Sequence, residues 1–140
     1  MANGSVRVLF VEDDEVLAGI VTRHLAVRGH DVRSVGSAEE ALDALQNGFR
    51  PKVVLLDINL PGASGWELLR SGALTSADAP AVYVVTATTI PPARLREFAV
   101  AGFLPKPFAM STLVEVVERA ALVRTAAKAG PSERLDEDFE

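Results

Sequence analysis

The chain has 140 residues, enough for one domain of ordinary size and little more. Its apolar fraction of 49% supports a packed core, and the lack of cysteine excludes a disulfide scaffold, a Cys-ligated zinc site and thiol catalysis. The net charge of −5 is concentrated in residues 133–140, which hold five acids and one Arg; the remainder is close to neutral, with no basic patch that would point to nucleic acid.

The first element is an apolar run at residues 6–11, read as a strand. Val16, Leu17, Ile20, Val21 and Leu25 then recur at a period of 3.6, which predicts a helix ending at Gly29. A second strand covers 31–35. Ser37-Ala-Glu-Glu40 is a capping box that opens a second helix through Ala41, Leu42 and Leu45, with Gly48 as its stop. A third strand follows at 52–56, and Ser64-Gly-Trp-Glu67 opens a third helix that Gly72 keeps short. The fourth strand is 81–85. A fourth helix is expected at 92–100, starting late and staying short because Pro91 and Pro92 donate no N–H. The fifth strand is 102–104, and the longest helix is 110–128, with Leu113, Val116, Val117 and Ala120 on one side. An acidic segment at 129–140 is expected as a disordered tail, leaving a domain at 5–128. The runs at 6–11, 52–56 and 81–85 scarcely alternate, which suits strands covered on both faces. Strands alternating with helices predict an α/β sandwich with helices on both sides of a parallel sheet. No run approaches the roughly 18 apolar residues of a membrane span, and the start lacks a signal-peptide pattern, so a cytoplasmic protein away from the membrane is expected.

Open parallel sheets place their sites at the carboxyl ends of the strands. After the first strand comes Glu12-Asp13-Asp14-Glu15, after the third Asp57, after the fourth Thr86, and after the fifth Lys106-Pro107. Taken singly each has a structural explanation: acids start helices, an Asp before Pro-Gly forms turns, a Thr ends a strand and a Lys is solvated. Their joint arrival at one edge is what points to chemistry. Clustered carboxylates repel, and a hard cation such as Mg²⁺ resolves that with oxygen ligands. Asp13 and Asp57, with Glu12 acting through water, would form such a site. A carboxylate is also a nucleophile towards phosphorus, with Lys106 and Thr86 available to the phosphoryl oxygens.

At these residues the chain resembles a response-regulator receiver domain of two-component signalling. The resemblance runs from about residue 6 to residue 127 on VLFVEDD, VVLLDINLPGASGWELL, VVTA and FLPKPF, in order. It implies a doubly wound (βα)5, flavodoxin-like sandwich with a five-stranded parallel sheet in the order 2-1-3-4-5, the topology of the chemotaxis member of this family. It also implies that Asp57 is the phosphorylated residue, that Glu12 and Asp13 hold Mg²⁺ with Asp13 the direct ligand, and that the Asn59 carbonyl completes the metal shell. Thr86 and Phe103 would be the switch residues. Lys106, before a cis-proline bond, would point inward. The implied partners are a sensor histidine kinase or histidine phosphotransferase and a downstream protein of unknown identity. The chain would be a phosphoryl acceptor with intrinsic autodephosphorylation, and not a multi-turnover enzyme.

The sequence departs from the family pattern between Thr86 and Lys106, which is a couple of residues short. Pro105 stands where Thr or Ser is common, and Phe103 lacks a hydroxyl. Trp66 is expected as a half-buried packing residue, and His24 and His30 as surface or packing histidines. Arg94 and Arg96 are read as a contact site or as solubilising charges. Little chain follows residue 122, so a stand-alone receiver or a fragment with 123–140 as linker are both open. An aspartate-nucleophile phosphatase would need an acid where Asn59 stands. A nucleotide or flavin module fits poorly with an acidic first loop. A degenerate scaffold fits poorly with an intact set of acids, Thr and Lys.

Overall fold

The Val- and Leu-rich runs become the inner strands of a parallel sheet in the computed structural model, which describes residues 5–75 and 79–127. β1 (Arg7–Val11), β3 (Val53–Leu56) and β4 (Ala81–Thr86) lie side by side. β2 (Asp31–Val35) and β5 (Gly102–Pro105) form the edges, giving the order β2-β1-β3-β4-β5. All four pairings are parallel. Between the strands run α1 (Glu15–Val27), α2 (Ala38–Gln46), α3 (Gly65–Arg70) and α4 (Pro92–Glu97), and α5 (Met110–Ala127) follows β5. The expected architecture and strand order are those observed. The acidic segment 129–140 and Lys128, the expected last residue of α5, lie outside the described residues.

Strand pleating sends alternate residues to opposite faces, and each face has its own core. Leu9, Val11, Val54, Leu56, Val82 and Val84 pack under α2, α3 and α4. Val8, Phe10, Val53, Leu55 and Val85 pack under α1 and α5. Phe10 is fully buried at the centre, and burying a side chain of that kind contributes about 1.5–3 kcal/mol. Near-continuous apolar runs were needed because both faces of β1, β3 and β4 are covered. The edge strand β2 is more exposed and reads DVRSV.

The helix ends set the loops at the site. Asp14 caps α1, its carboxylate accepting from the N–H groups of Val16 (3.0 Å) and Leu17 (3.1 Å); such a cap contributes about 1 kcal/mol. Ser37 and Ser64 cap α2 and α3 through the N–H groups of Glu40 and Glu67. α4 has no side-chain cap and is only six residues long, ending short of the expected Val100. Its C-terminal turn is closed by Ala99 in the left-handed region (φ 56°), with Ala99 N–H donating to Arg96 O and Val100 N–H to Leu95 O. Trp66, half-buried on α3, packs against Phe98 at 5.3 Å between ring centroids. Arg94 lies over the indole at 4.6 Å, so it stacks where the sequence suggested a contact site or a solubilising charge.

One expectation changes on α1. The buried stripe is Ala18, Val21 and Leu25, while Val16 is 73% and Ile20 39% exposed. Ala18 takes a place against the sheet, Val21 and Leu25 of the predicted stripe stay buried, and Val16 and Ile20 turn outward. Among the described residues no helix is long and apolar enough to cross a membrane.

Candidate functional site

The carboxyl edge of the sheet holds its side chains through backbone pairing that continues one residue past the strands. Glu12 N–H donates to Val35 O (2.9 Å), Asp57 N–H to Val11 O (3.0 Å) and Lys106 N–H to Thr86 O (3.0 Å). Val11 is in register with Leu56, which sets Glu12 and Asp57 side by side. Thr86 is in register with Pro105, which sets Lys106 just beyond. Residues 94 and 49 positions apart in sequence therefore meet: Lys106 Nζ donates to Glu12 Oε1 at 2.6 Å and to Asp57 Oδ2 at 3.0 Å.

Glu12 and Asp57 are buried and Asp13 is exposed, and oxygens of the three carboxylates lie within 4.8 Å of one another. The acidic run after β1 is thus divided. Glu12 and Asp13 face the site, whereas Asp14 is consumed by its cap. Glu12 spends its second oxygen on Asp14 N–H (3.1 Å). Burial pushes the Glu12 carboxyl above its usual range, against the opposing pull of the Lys106 ammonium and the Asp14 N–H. Burial alone would lower Lys106, but its hydrogen bonds to Glu12 and Asp57 outweigh that and leave it raised. The ammonium is therefore fixed and charged at neutral pH.

Asp57 Oδ1 accepts from Asn59 N–H at 3.1 Å. The Asn59 amide reaches the other way, donating to Thr88 Oγ1 at 2.6 Å and to Thr86 Oγ1 at 3.4 Å. Thr86 is fully buried. Phe103 is half-buried on the same sheet face as Val84, its partner in register, and so on the face of Thr86 two residues on. The Lys106–Pro107 bond is cis.

Two supports were not legible as site residues. Gly65, at the start of α3, sits so close to β3's exit that a Cβ there would fall 2.6 Å from Asp57 O and 2.9 Å from Ile58 Cα. Its N–H also donates to Ile58 O at 3.0 Å. Glu39 on α2 accepts from Ala63 N–H at 3.3 Å, bracing the loop after Asp57. The short Ser-Gly-Trp cap offered a signal for Gly65; nothing marked Glu39, because its partner is 24 residues away.

A largely buried acidic cluster, offset only in part by one lysine, at the carboxyl edge of a 2-1-3-4-5 sheet narrows the family sharply. Residues 8–118 match the model of the response regulator receiver domain. The chain belongs to this family. The receiver is similar to Response regulator MprA of Mycobacterium sp. (strain KMS), 35% identical over 128 residues that cover 90% of this chain and 54% of that protein. It therefore spans about half the length of the curated relatives it matches. Among solved structures, the non-phosphorylated HemR receiver domain from Leptospira biflexa is 30% identical with a TM-score of 0.69, covering 81% of this chain and 92% of that one. A CheY-like receiver domain protein from Methanospirillum hungatei JF-1 gives a TM-score of 0.80 over 87% of this chain and 98% of that one. At 22% identity that second likeness is one of fold. The chain is accordingly a receiver domain of two-component signalling.

Proposed function

We propose that this receiver, residues 5–128, accepts a phosphoryl group on Asp57 from a histidine kinase or a histidine phosphotransferase and passes the change to a protein-binding surface. The observation that carries the reading is the Lys106 ammonium shared by Glu12 and Asp57 inside a cluster of three carboxylates. Three carboxylates against one ammonium leave a formal excess of two negative charges, which suits a hard divalent cation with oxygen ligands. Asp13, Asp57 and the Asn59 carbonyl would hold Mg²⁺, with Glu12 acting through water. When bound, the ion supplies positive charge that offsets the phosphoryl oxygens. Glu12 has a further duty: with both oxygens engaged, it anchors Lys106.

In the transfer an oxygen of the Asp57 carboxylate attacks phosphorus. The phosphorus–nitrogen bond of the phosphohistidine breaks, and its electron pair returns to the imidazole. Lys106 already bonds Asp57 Oδ2 and pairs with a phosphoryl oxygen as charge arrives. The buried Thr86 hydroxyl donates to another. Its movement releases the Asn59 amide and leaves space that Phe103, on the same face, turns to fill. The surface around α4, β5 and α5 then has two states, and a partner shifts the balance only by its difference in affinity for them. Hydrolysis of the acyl phosphate resets the domain. Asn59 and Thr88, joined at 2.6 Å beside the acceptor, narrow the approach of water. Donors of this kind are intracellular, which supports a cytoplasmic site of action.

The test is labelling by acetyl phosphate with Mg²⁺. Asp57→Asn is expected to abolish it, and chelation of the metal to suppress it in the parent. Undiminished labelling of Asp57→Asn would show that another residue accepts. Sustained turnover of a phosphomonoester would move the chain to the phosphatase reading.

A further inference from the structure

An open groove of about 820 Å³ runs between α1 and α5, and none of Glu12, Asp13 and Asp57 lines it. Its walls include Val27, Val114 and Leu122, with Arg23, Glu115 and Arg119 at the rim. Val27 is 82% and Leu122 70% exposed, and the outward turn of α1 adds Val16 and Ile20 to the same flank. A patch of large apolar side chains rimmed by charge marks a docking surface. Glu118, also in the groove, is already matched by Arg28 at 2.7 and 2.9 Å. That leaves Arg23 and Arg119 against Glu115, a slight positive excess; no ion pair engages either arginine among the described residues.

We propose that residues 132–140 of this chain fold back and occupy the groove in cis. Their sequence, SERLDEDFE, carries five acids and one Arg, together with Leu135 and Phe139 spaced for two apolar anchors. The acids complement Arg23 and Arg119, and the anchors complement Val27 and Leu122. A second copy of the chain is the poorer occupant, because a two-fold contact would set the same positive rim against itself. The reach is sufficient. Gly130-Pro131, a dipeptide that favours turns, follows Ala127 by three to four residues in sequence. The nine residues that follow span up to about 30 Å when extended, whereas α5 from Ala127 back to Met110 is about 25 Å long. Composition alone predicts a solvated end; the groove supplies an alternative. Docking within one chain also proceeds at an effective concentration on the order of mM, so a modest intrinsic affinity is enough.

The absence of native cysteine allows a unique spin label at Glu140→Cys in the full chain. The expected result is loss of amide signal intensity at Arg23, Val27 and Val114 that does not depend on protein concentration. The loss is expected to be reversed when Leu135→Ala and Phe139→Ala are added to the same labelled chain, and to weaken with added salt. Intensities in the groove no lower than on α2, on the opposite face of the sheet, would overturn the proposal. So would losses that arise only when labelled chains are mixed with isotope-enriched unlabelled ones, which would give the groove to a second copy.

Discussion

Gly65 sets how closely α3 can approach the strand that presents Asp57. The residue has no need of a left-handed backbone; what it lacks room for is a Cβ, 2.6 Å from Asp57 O. The obstacle is backbone, which cannot swing aside as a side chain would. Gly65→Ala is therefore expected to cost roughly 1–3 kcal/mol, the usual range for overpacking. It should also slow labelling of Asp57, because the shift is transmitted to the acceptor's own carbonyl. Urea midpoints and the rate of acetyl phosphate labelling check both, and unchanged values of each would refute the steric account. At this scale the sequence was legible where position alone decides. Asp57, Thr86 and Lys106 could be read because a parallel sheet gathers strand ends. The sequence separated Asp13, assigned to the metal, from Asp14, but it did not show that the Asp14 carboxylate would cap α1. The two are the same residue type in succession, and which one caps α1 depends on the turn at which the helix starts. His30 was equally opaque, since its partners lie 24 and 88 residues away.

Among the elements, α4 is held by its C-terminal turn more than by its start. Pro91 caps without a side-chain bond, and two hydrogen bonds at Ala99 and Val100 close the other end over the buried Leu95 and Val100. Ala99 adopts φ 56°, a region where a Cβ costs roughly 1–2 kcal/mol. Ala99→Gly removes that cost and adds the entropy glycine loses on folding, about 0.5–1 kcal/mol. A net gain of about 0.5–1 kcal/mol is expected, read as a higher melting temperature; a loss would mean that the turn is not strained as described. The shortness of α4 was legible from Pro91 and Pro92. Its end was not, because an alanine gives no sign that it will serve as a helix stop. On α1, periodicity identified the helix but misjudged its buried stripe: Val16 and Ile20 have the right spacing, yet the smaller Ala18 wins the place against the sheet.

Across the whole molecule, one network ties together parts of the chain that the sheet does not join. Val6 N–H donates to His30 Nδ1, so Nδ1 carries no proton and Nε2–H donates to Glu118 on α5 at 3.0 Å. Arg28, just past α1, completes the set through two bonds to the same carboxylate. The Arg28 guanidinium, and then His30, hold the Glu118 carboxyl down from 4.5 to about 2. A folded-state value below the unfolded one means that Glu118 stabilises the fold fully above pH 4.5, and that this contribution fades as pH falls towards 2. The stability gap between the parent and Glu118→Gln, measured by urea unfolding, is expected to be widest near neutrality and to close across that window. A gap that stays constant through it would show that the carboxylate is not linked to folding. The placement of the network at the end of the sheet opposite the acids has a practical reading. All the chemistry hangs from one rim, while the turns at Gly29 and Gly48 belong to the other. A reporter grafted into the Asn47-Gly48 bend would ride on the far side of the scaffold, leaving the spacing of carboxylates, hydroxyl and ammonium untouched while it records how the domain responds.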